Sequence, residues 1–485
     1  MRFINAASVP VKALLFSLMA TIAAPLSANE FNLPSLGDTS SSIMSREQEY
    51  QLGRTWLSML RGSVRTLEDP LLKDYVETHV FNLAETSQLD DRRLTFVTID
   101  SPQLNAFAAP GGIIGVNGGL FLHAHNEAEF ASVMAHELAH LSQRHFARGL
   151  QHQQQNRIPL MTAMLASIIL AASGGGDAGF AALASTQAAA IQEQRRFSRQ
   201  NEQEADRIGL LNLKGAGYDP NAMPDMFERL ARLSRFSRTP PEFLLTHPVN
   251  QSRIADSRNR AGQLNNDGQR DSLYYQMMRA RVQLFYEDSP GLAVQRFRAL
   301  LDEHNGEHAA ARYGLAMALI RSGQQDAATE HLDTLLAQHP GNIAIHLAKA
   351  ELDSSQNRLD QALARVDSLL EVSPQNYPLL EARANILLRK RDYRGAEKVT
   401  DQLARLRSED PDIWFLASEV RGLAGNILGV HQARAEYFML AGDLDQADEQ
   451  LDLALTRAGD NFVISSRIKA RKDEVTRRRE IIKSF

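Results

Sequence analysis

Cysteine is absent from the 485 residues. That absence removes disulfide scaffolds, cysteine nucleophiles, zinc ribbons, iron–sulfur clusters and cysteine-linked lipid anchors. Any metal site must use His, Asp and Glu. A basic excess is missing too. The formal net charge is −5, so no positive footprint points to nucleic acid. Beyond the N-terminus no segment reads clearly as a membrane anchor. What is present, 44% hydrophobic and 23% charged residues, is the make-up of an ordinary globular protein. The length suggests roughly two to four domains.

Residues 1–28 have the pattern of a secretory signal peptide. Arg2 and Lys12 give a positive start, Ala13 to Ala24 is apolar, and Ala28 is a plausible cleavage position. Such a signal fits bacterial export and predicts a soluble periplasmic protein. Residues 29–43, with Pro34, Gly37 and a serine run, read as a flexible leader. Helical texture starts at Met44, and Leu52, Trp56, Met59 and Leu60 are candidates for buried or flanking positions. A second helix is expected over Leu71–Thr86 and a strand over Arg93–Ile99.

The stretch Asn105–Gly119, NAFAAPGGIIGVNGG, is punctuated by glycines into short β segments. Ile113, Ile114, Gly115 and Val116 read either as an edge strand that can take an extended peptide as one more strand or as part of an ordinary hairpin. Asn126–Gln154 reads as one helix. Ile158–Ala189 is apolar and interrupted by GGGDAG. It fits either a pair of helices over the core or a peripheral membrane contact.

From Asp271 to the end the chain is helical and repetitive. Ala328, Ala362 and Ala396 are 34 residues apart, and so are Pro340 and Pro374. That period belongs to tetratricopeptide repeats, stacked helix pairs that bind segments of other proteins. The period then slips, with Pro411 37 residues after Pro374. An extra helix around Asp412–Gly425 would account for it. The domains expected are thus 1–28 signal, 29–43 leader, 44–270 catalytic core and 271–485 repeats.

The chemistry sits in MAHELAHLSQRH. His136 and His140 are one turn apart on a helix, so both rings can converge on one metal ion. Glu137 lies beside that face, within reach of a water but poorly placed as a ligand. A catalytic zinc usually takes three protein ligands, and NEQEADRIG offers the third. Glu202 and Asp206 share a face with Ala205 and Gly209, small residues that allow close approach. Glu202 can bind the ion, and Asp206 can hold the outer nitrogen of a ligand histidine. Glu204 lies on another face. His145 and His152 are expected on the same helix as the motif, packing or facing solvent.

HELAH and EQEAD, with NAFAAPGG before and THPVNQSRI after, resemble the Ste24/HtpX-type zinc metallopeptidases of family M48. The resemblance implies one zinc bound by His136, His140 and Glu202, with Glu137 catalytic and Asp206 behind the ligands. It implies an α+β, mainly α fold: a zincin-like helical core with a small sheet, followed here by an all-α repeat solenoid. The combination with a signal and repeats implies peptide or protein substrates. It also implies outer-membrane β-barrel proteins and their assembly machinery as partners. His247, within the THP element, is either a fourth ligand that silences the site or a stabiliser of the transition state. The function expected is a periplasmic zinc endopeptidase that degrades misassembled outer-membrane proteins and assists their assembly. The alternative is a repeat-based chaperone with occasional proteolysis.

Overall fold

The computed structural model describes residues 44–152, 188–236, 240–265 and 267–484. The expected signal, the leader and all but the end of Ile158–Ala189 lie outside the described residues. Helix α1 (Arg46–Ser63) starts at Ser45, which forms a capping box with Gln48. Helix α2 (Pro70–Glu85) starts at Asp69, whose carboxylate takes the N–H groups of Leu71 and Leu72. Leu52, Trp56 and Leu60 are buried as expected, whereas Met59 is exposed.

Strands β1 (Thr95–Ile99), β2 (Ala106–Ala109) and β3 (Ile113–Asn117) form one sheet in the order β1-β3-β2. Strand β3 pairs in parallel with β1, Thr95 facing Ile113, and antiparallel with β2, Ala109 facing Ile113. This corrects the sequence expectation: Ile113, Ile114, Gly115 and Val116 form the central strand and offer no free edge. All of β3 is buried. An unbroken apolar run is what a strand covered on both faces requires. Gly115 lies against the Phe107 ring, where a Cβ would come within 2.1 Å. The free edge near the catalytic motif belongs to β2.

Helix α3 (Gly118–His123) leads into α4 (Glu127–Ser142), capped by Asn126. The expected single helix to Gln154 is broken. Arg144 adopts φ +50° and a separate helix, α5 (His145–His152), follows. Next come α6 (Ala188–Gly215), α7 (Ala222–Phe236), α8 (Glu242–Thr246) and α9 (Gln251–Ala261).

The C-terminal half is a run of helix pairs. A first pair, α10 (Leu273–Phe285) and α11 (Pro290–Glu303), precedes α12 (Ala309–Arg321) and α13 (Gln325–Gln338). Then follow α14 (Ile343–Ser355), α15 (Leu359–Val372), α16 (Tyr377–Arg389) and α17 (Tyr393–Leu406). Ala328, Ala362 and Ala396 are fully buried at the crossings. The helix expected near Asp412–Gly425 exists as α18 (Pro411–Leu423), but it is no insertion. With α19 (Ile427–Ala441) it forms a regular pair, its helix starts again 34 residues on. The pattern is hidden because Val430 stands where the alanine would, and the small buried residue is Gly429. Helices α20 (Leu444–Ala458) and α21 (Phe462–Ser484) complete the chain.

The two halves share a core. One apolar cluster runs from Leu71 through Phe130 and Tyr275 to Leu352. The repeats also turn back onto the core. Gly442 lies against Ser58 of α1, and Arg407 binds Glu77 of α2 at 2.8 Å. Part of the repeat surface expected to receive other proteins is therefore covered by helices of the same chain. Among the described residues no helix is long and apolar enough to cross a membrane.

Candidate metal centre

Helix α4 is buried along nearly its whole length. Val133, Met134 and Leu138 anchor it in the core, and His136 and Glu137 are each 1% exposed. Helix α6 packs directly against it. A Cβ on Gly209 would lie 3.1 Å from the Ala135 carbonyl and from His136, so the small residue does permit the close approach read from the sequence. That approach sets Glu202 and Asp206, both buried, against the two histidines.

Four side chains converge: His136, His140, Glu202 and His247. His140 Nε2 lies 3.1 Å from His136 Nε2. Glu202 is 3.5 Å from His136 Nε2 and 3.4 Å from His140 Nε2. His247 Nδ1 is 3.0 Å from Glu202 and 3.4 Å from His136 Nε2. A tetrahedral ion with bonds of about 2.0–2.1 Å needs its donors about 3.3 Å apart. Glu202 turns Oε2 toward His136 and Oε1 toward His140 and His247, and with one ligand atom from each residue the four lie within 4.8 Å of one another. Two imidazole nitrogens facing each other at such range also leave space for a cation rather than for two protons. The residues present therefore fit a tetrahedral metal ion.

His247 is delivered by α8, whose last turn its own N–H closes onto the Phe243 carbonyl at 2.8 Å. Its ring stacks on Phe243, with centroids 4.8 Å apart. Its Nε2 lies 3.6 Å from Glu137. Glu137 accepts from the Ala108 main chain on β2, while its Oε1 has no hydrogen-bond partner. The Glu137 carboxyl is thus aimed into the gap between the β2 edge and the donor cluster.

Asp206 Oδ1 lies 3.1 Å from His136 Nδ1. Arg253 on α9, the arginine of THPVNQSRI, was assigned no role from the sequence. Its guanidinium grips Asp206 through two bonds of 2.7 Å and pairs with Glu202 at 2.9 Å. It is 3% exposed. No spacing rule links it to the motif, since it reaches in from another helix. His145 was assigned no role, yet its Nδ1 lies 2.8 Å from His140 Nδ1 and its Nε2 3.1 Å from Glu204. The side chain of His152 lies outside the described residues.

Electrostatics separate the groups. Burial disfavours charge on His136, but Asp206 and Glu202 overcome it and hold its pKa up at about 9. Burial drives His140 down to about 3 despite Glu202. The Glu137 carboxyl is pushed up by burial, against the pull of His247 and His136. Burial opposes charge on Glu202 as well, yet His247, His136 and His140 keep it well below the usual carboxylate range. A carboxyl raised beside ionised neighbours is the usual setting of an acid–base group.

Comparison with known proteins bears on the same residues. A model described as peptidase family M48 matches residues 70–261, and two tetratricopeptide-repeat models match 284–352 and 347–411. The beta-barrel assembly-enhancing protease of Escherichia coli (strain K12) is 34% identical over 458 residues, 93% of each chain. The protein of that name from Yersinia pestis is 34% identical over 455 residues, again 93% of each. The mitochondrial metalloendopeptidase OMA1 of Arabidopsis thaliana is 35% identical over 170 residues, 35% of this chain and 32% of its own.

Proposed function

Because the chain belongs to peptidase family M48, with the beta-barrel assembly-enhancing proteases as relatives along nearly its whole length, we propose a specific activity for it. It is a periplasmic zinc endopeptidase that removes misassembled outer-membrane proteins and, through its repeats, assists their β-barrel assembly. The observation that carries the metal part is the convergence of His136, His140, Glu202 and His247, whose ligand atoms lie within 4.8 Å of one another. The pattern of residues 1–28 and the relatives' printed names support the compartment and the clients.

His136, His140 and Glu202 hold the ion. Bound there, zinc supplies a water acidified to a pKa of about 7 and a Lewis acid for the scissile carbonyl. Glu137 takes the proton of the attacking water and passes it to the leaving amine. Its raised pKa suits both transfers. Asp206 fixes the His136 ring, and Arg253 keeps Asp206 ionised and aimed. The substrate lies extended along the free edge of β2, beside Glu137.

His247, whose Nδ1 lies 3.0 Å from Glu202 and 3.4 Å from His136 Nε2, would serve as a fourth donor to the ion. A site so filled would leave no place for the reactive water, and His247 would have to move aside for turnover. This favours the blocking role over transition-state assistance, and replacing His247 by Ala raises proteolysis. It also lends weight to the second reading, an assembly factor with latent proteolysis. Glu137→Gln separates the two. The variant keeps zinc and loses cleavage of an unfolded β-barrel client. If it still supports client maturation while a repeat deletion does not, binding is the main work. Cleavage at the wild-type rate in Glu137→Gln would sink the catalytic assignment.

A further inference from the structure

His136 and His140 need the same service: a group on the outer nitrogen that fixes which nitrogen faces the metal. For His136 that group is Asp206. Among the described residues the neighbour of His140 Nδ1 is another histidine, His145, rather than a carboxylate. We propose that His145, itself held by Glu204, is the positioning residue for the His140 ligand. The inference rests on the zinc-site reading above and extends it to a second supporting chain.

The geometry dictates the proton positions. His140 Nε2 faces the donor cluster, so its proton sits on Nδ1. At 2.8 Å from that nitrogen, His145 Nδ1 must be the bare acceptor. His145 then carries its proton on Nε2 and donates to Glu204 Oε2 at 3.1 Å. Arg148 closes the chain on the same oxygen at 2.9 Å. Each imidazole in the chain is neutral, and each hydrogen bond has one donor and one acceptor. His145 is 6% exposed, which limits competition from water.

The local backbone is bent to produce this contact. In an unbroken helix, residues five apart point about 140° away from each other, so His140 and His145 would not meet. Instead α4 stops at Ser142 and Arg144 turns left-handed at φ +50°. A side chain other than glycine is disfavoured there. The turn is held by Arg144 donating to the Met44 carbonyl at 2.7 Å and pairing with Glu49 at 3.1 Å. The strain is spent on one result, the return of His145 onto His140.

The test is zinc affinity of the full-length protein, read by competition with a chromophoric chelator at neutral pH. His145→Leu should weaken binding about 10–100-fold. The two amides decide the mechanism. Asparagine places its oxygen where Nδ1 was, so His145→Asn should stay within about threefold of the wild type. Glutamine places its amide where Nε2 was, so His145→Gln should resemble His145→Leu. Melting curves in chelator show whether the apo folds are intact. If His145→Leu fails to fold, the Asn–Gln pair still decides. Equal affinities for His145→Asn and His145→Gln, or an unweakened His145→Leu, overturn the proposal and leave the zinc site standing. A wild type that takes up no zinc overturns both.

Discussion

At the metal centre Glu202 and Asp206 are buried against the Arg253 guanidinium, and Glu137 is buried beside His247. At the junction between the core and the repeats the arrangement is different. Lys73 lies between Asp410 and Asp412, Arg407 between Glu77 and Asp410, and Arg61 donates to the Glu409 carbonyl at 2.8 Å. Buried charge without a partner is costly, and pairing removes most of that cost. The junction balances its charges with side chains and works as a clasp. The centre instead turns donor atoms of His136, His140, Glu202 and His247 on one another and leaves a carboxyl oxygen, Glu137 Oε1, with no hydrogen-bond partner. The difference teaches how to tell the two apart: buried donors that face each other, rather than a side-chain cation, mark a place for a metal ion.

The sharpest way to break that comparison is to remove a donor. Glu202→Ala leaves two histidines and His247. Zinc in the purified protein should fall from about one per chain to a small fraction of that, measured by elemental analysis. Full zinc content in Glu202→Ala would mean that Glu202 is not a ligand and that the three histidines hold the ion without it.

Arg253→Met should come next in size. It strands Asp206 and Glu202 without their guanidinium and should destabilise the chelator-treated protein by about 3–5 kcal/mol. Added zinc should return part of that loss, because it replaces the missing positive charge. Denaturant unfolding with and without zinc reads both quantities. An equal loss in the two conditions would make Arg253 a packing element only.

The pairs read from spacing share one property, that their members are one helical turn apart, whereas His247 was found only through the family resemblance. His136 with His140, and Glu202 with Asp206, follow from spacing alone. Arg253 has no such relation to Asp206, 47 positions away on another helix. His145 was hidden by a helix break at a residue that carries no turn signature. The β segment was recognised but its place in the sheet was not, since sequence order 1-2-3 does not announce spatial order β1-β3-β2. Its unbroken apolar run was the available clue. In the repeats, three buried alanines made the period visible, and it faded where Val430 replaced the fourth. The helical starts kept time regardless.

At the clasp the expected effects are smaller. Arg407 pairs with Glu77 and lies over the Tyr377 ring at 4.1 Å. Arg407→Met should cost about 2 kcal/mol of global stability. Zinc affinity should not move, because the two clusters share no side chain. A zinc titration of the variant that shifts with stability would show instead that core and repeats are coupled through α2.

The smallest effect tests the balance of the clasp through pH. Glu381 on α16 is the one junction carboxyl pushed far up, to about 7. Burial is the main cause, and the Tyr377 hydroxyl and Lys73 pull against it. Asp410 and Asp69 add to the upward push. The folded protein therefore holds this proton between about pH 4.5 and 7 while the unfolded chain releases it. More protons bound in the folded state means that stability falls as pH rises through that window. Glu381→Gln removes the titration. Variant and wild type should be alike below pH 5, and the variant should be about 1 kcal/mol more stable at pH 8, a fraction of the full linkage because the site is only partly shielded. Urea unfolding across pH 5–8 reads the difference. A flat difference would mean that Lys73 already balances Glu381 along with Asp410 and Asp412, and that the clasp holds its charges with none left over.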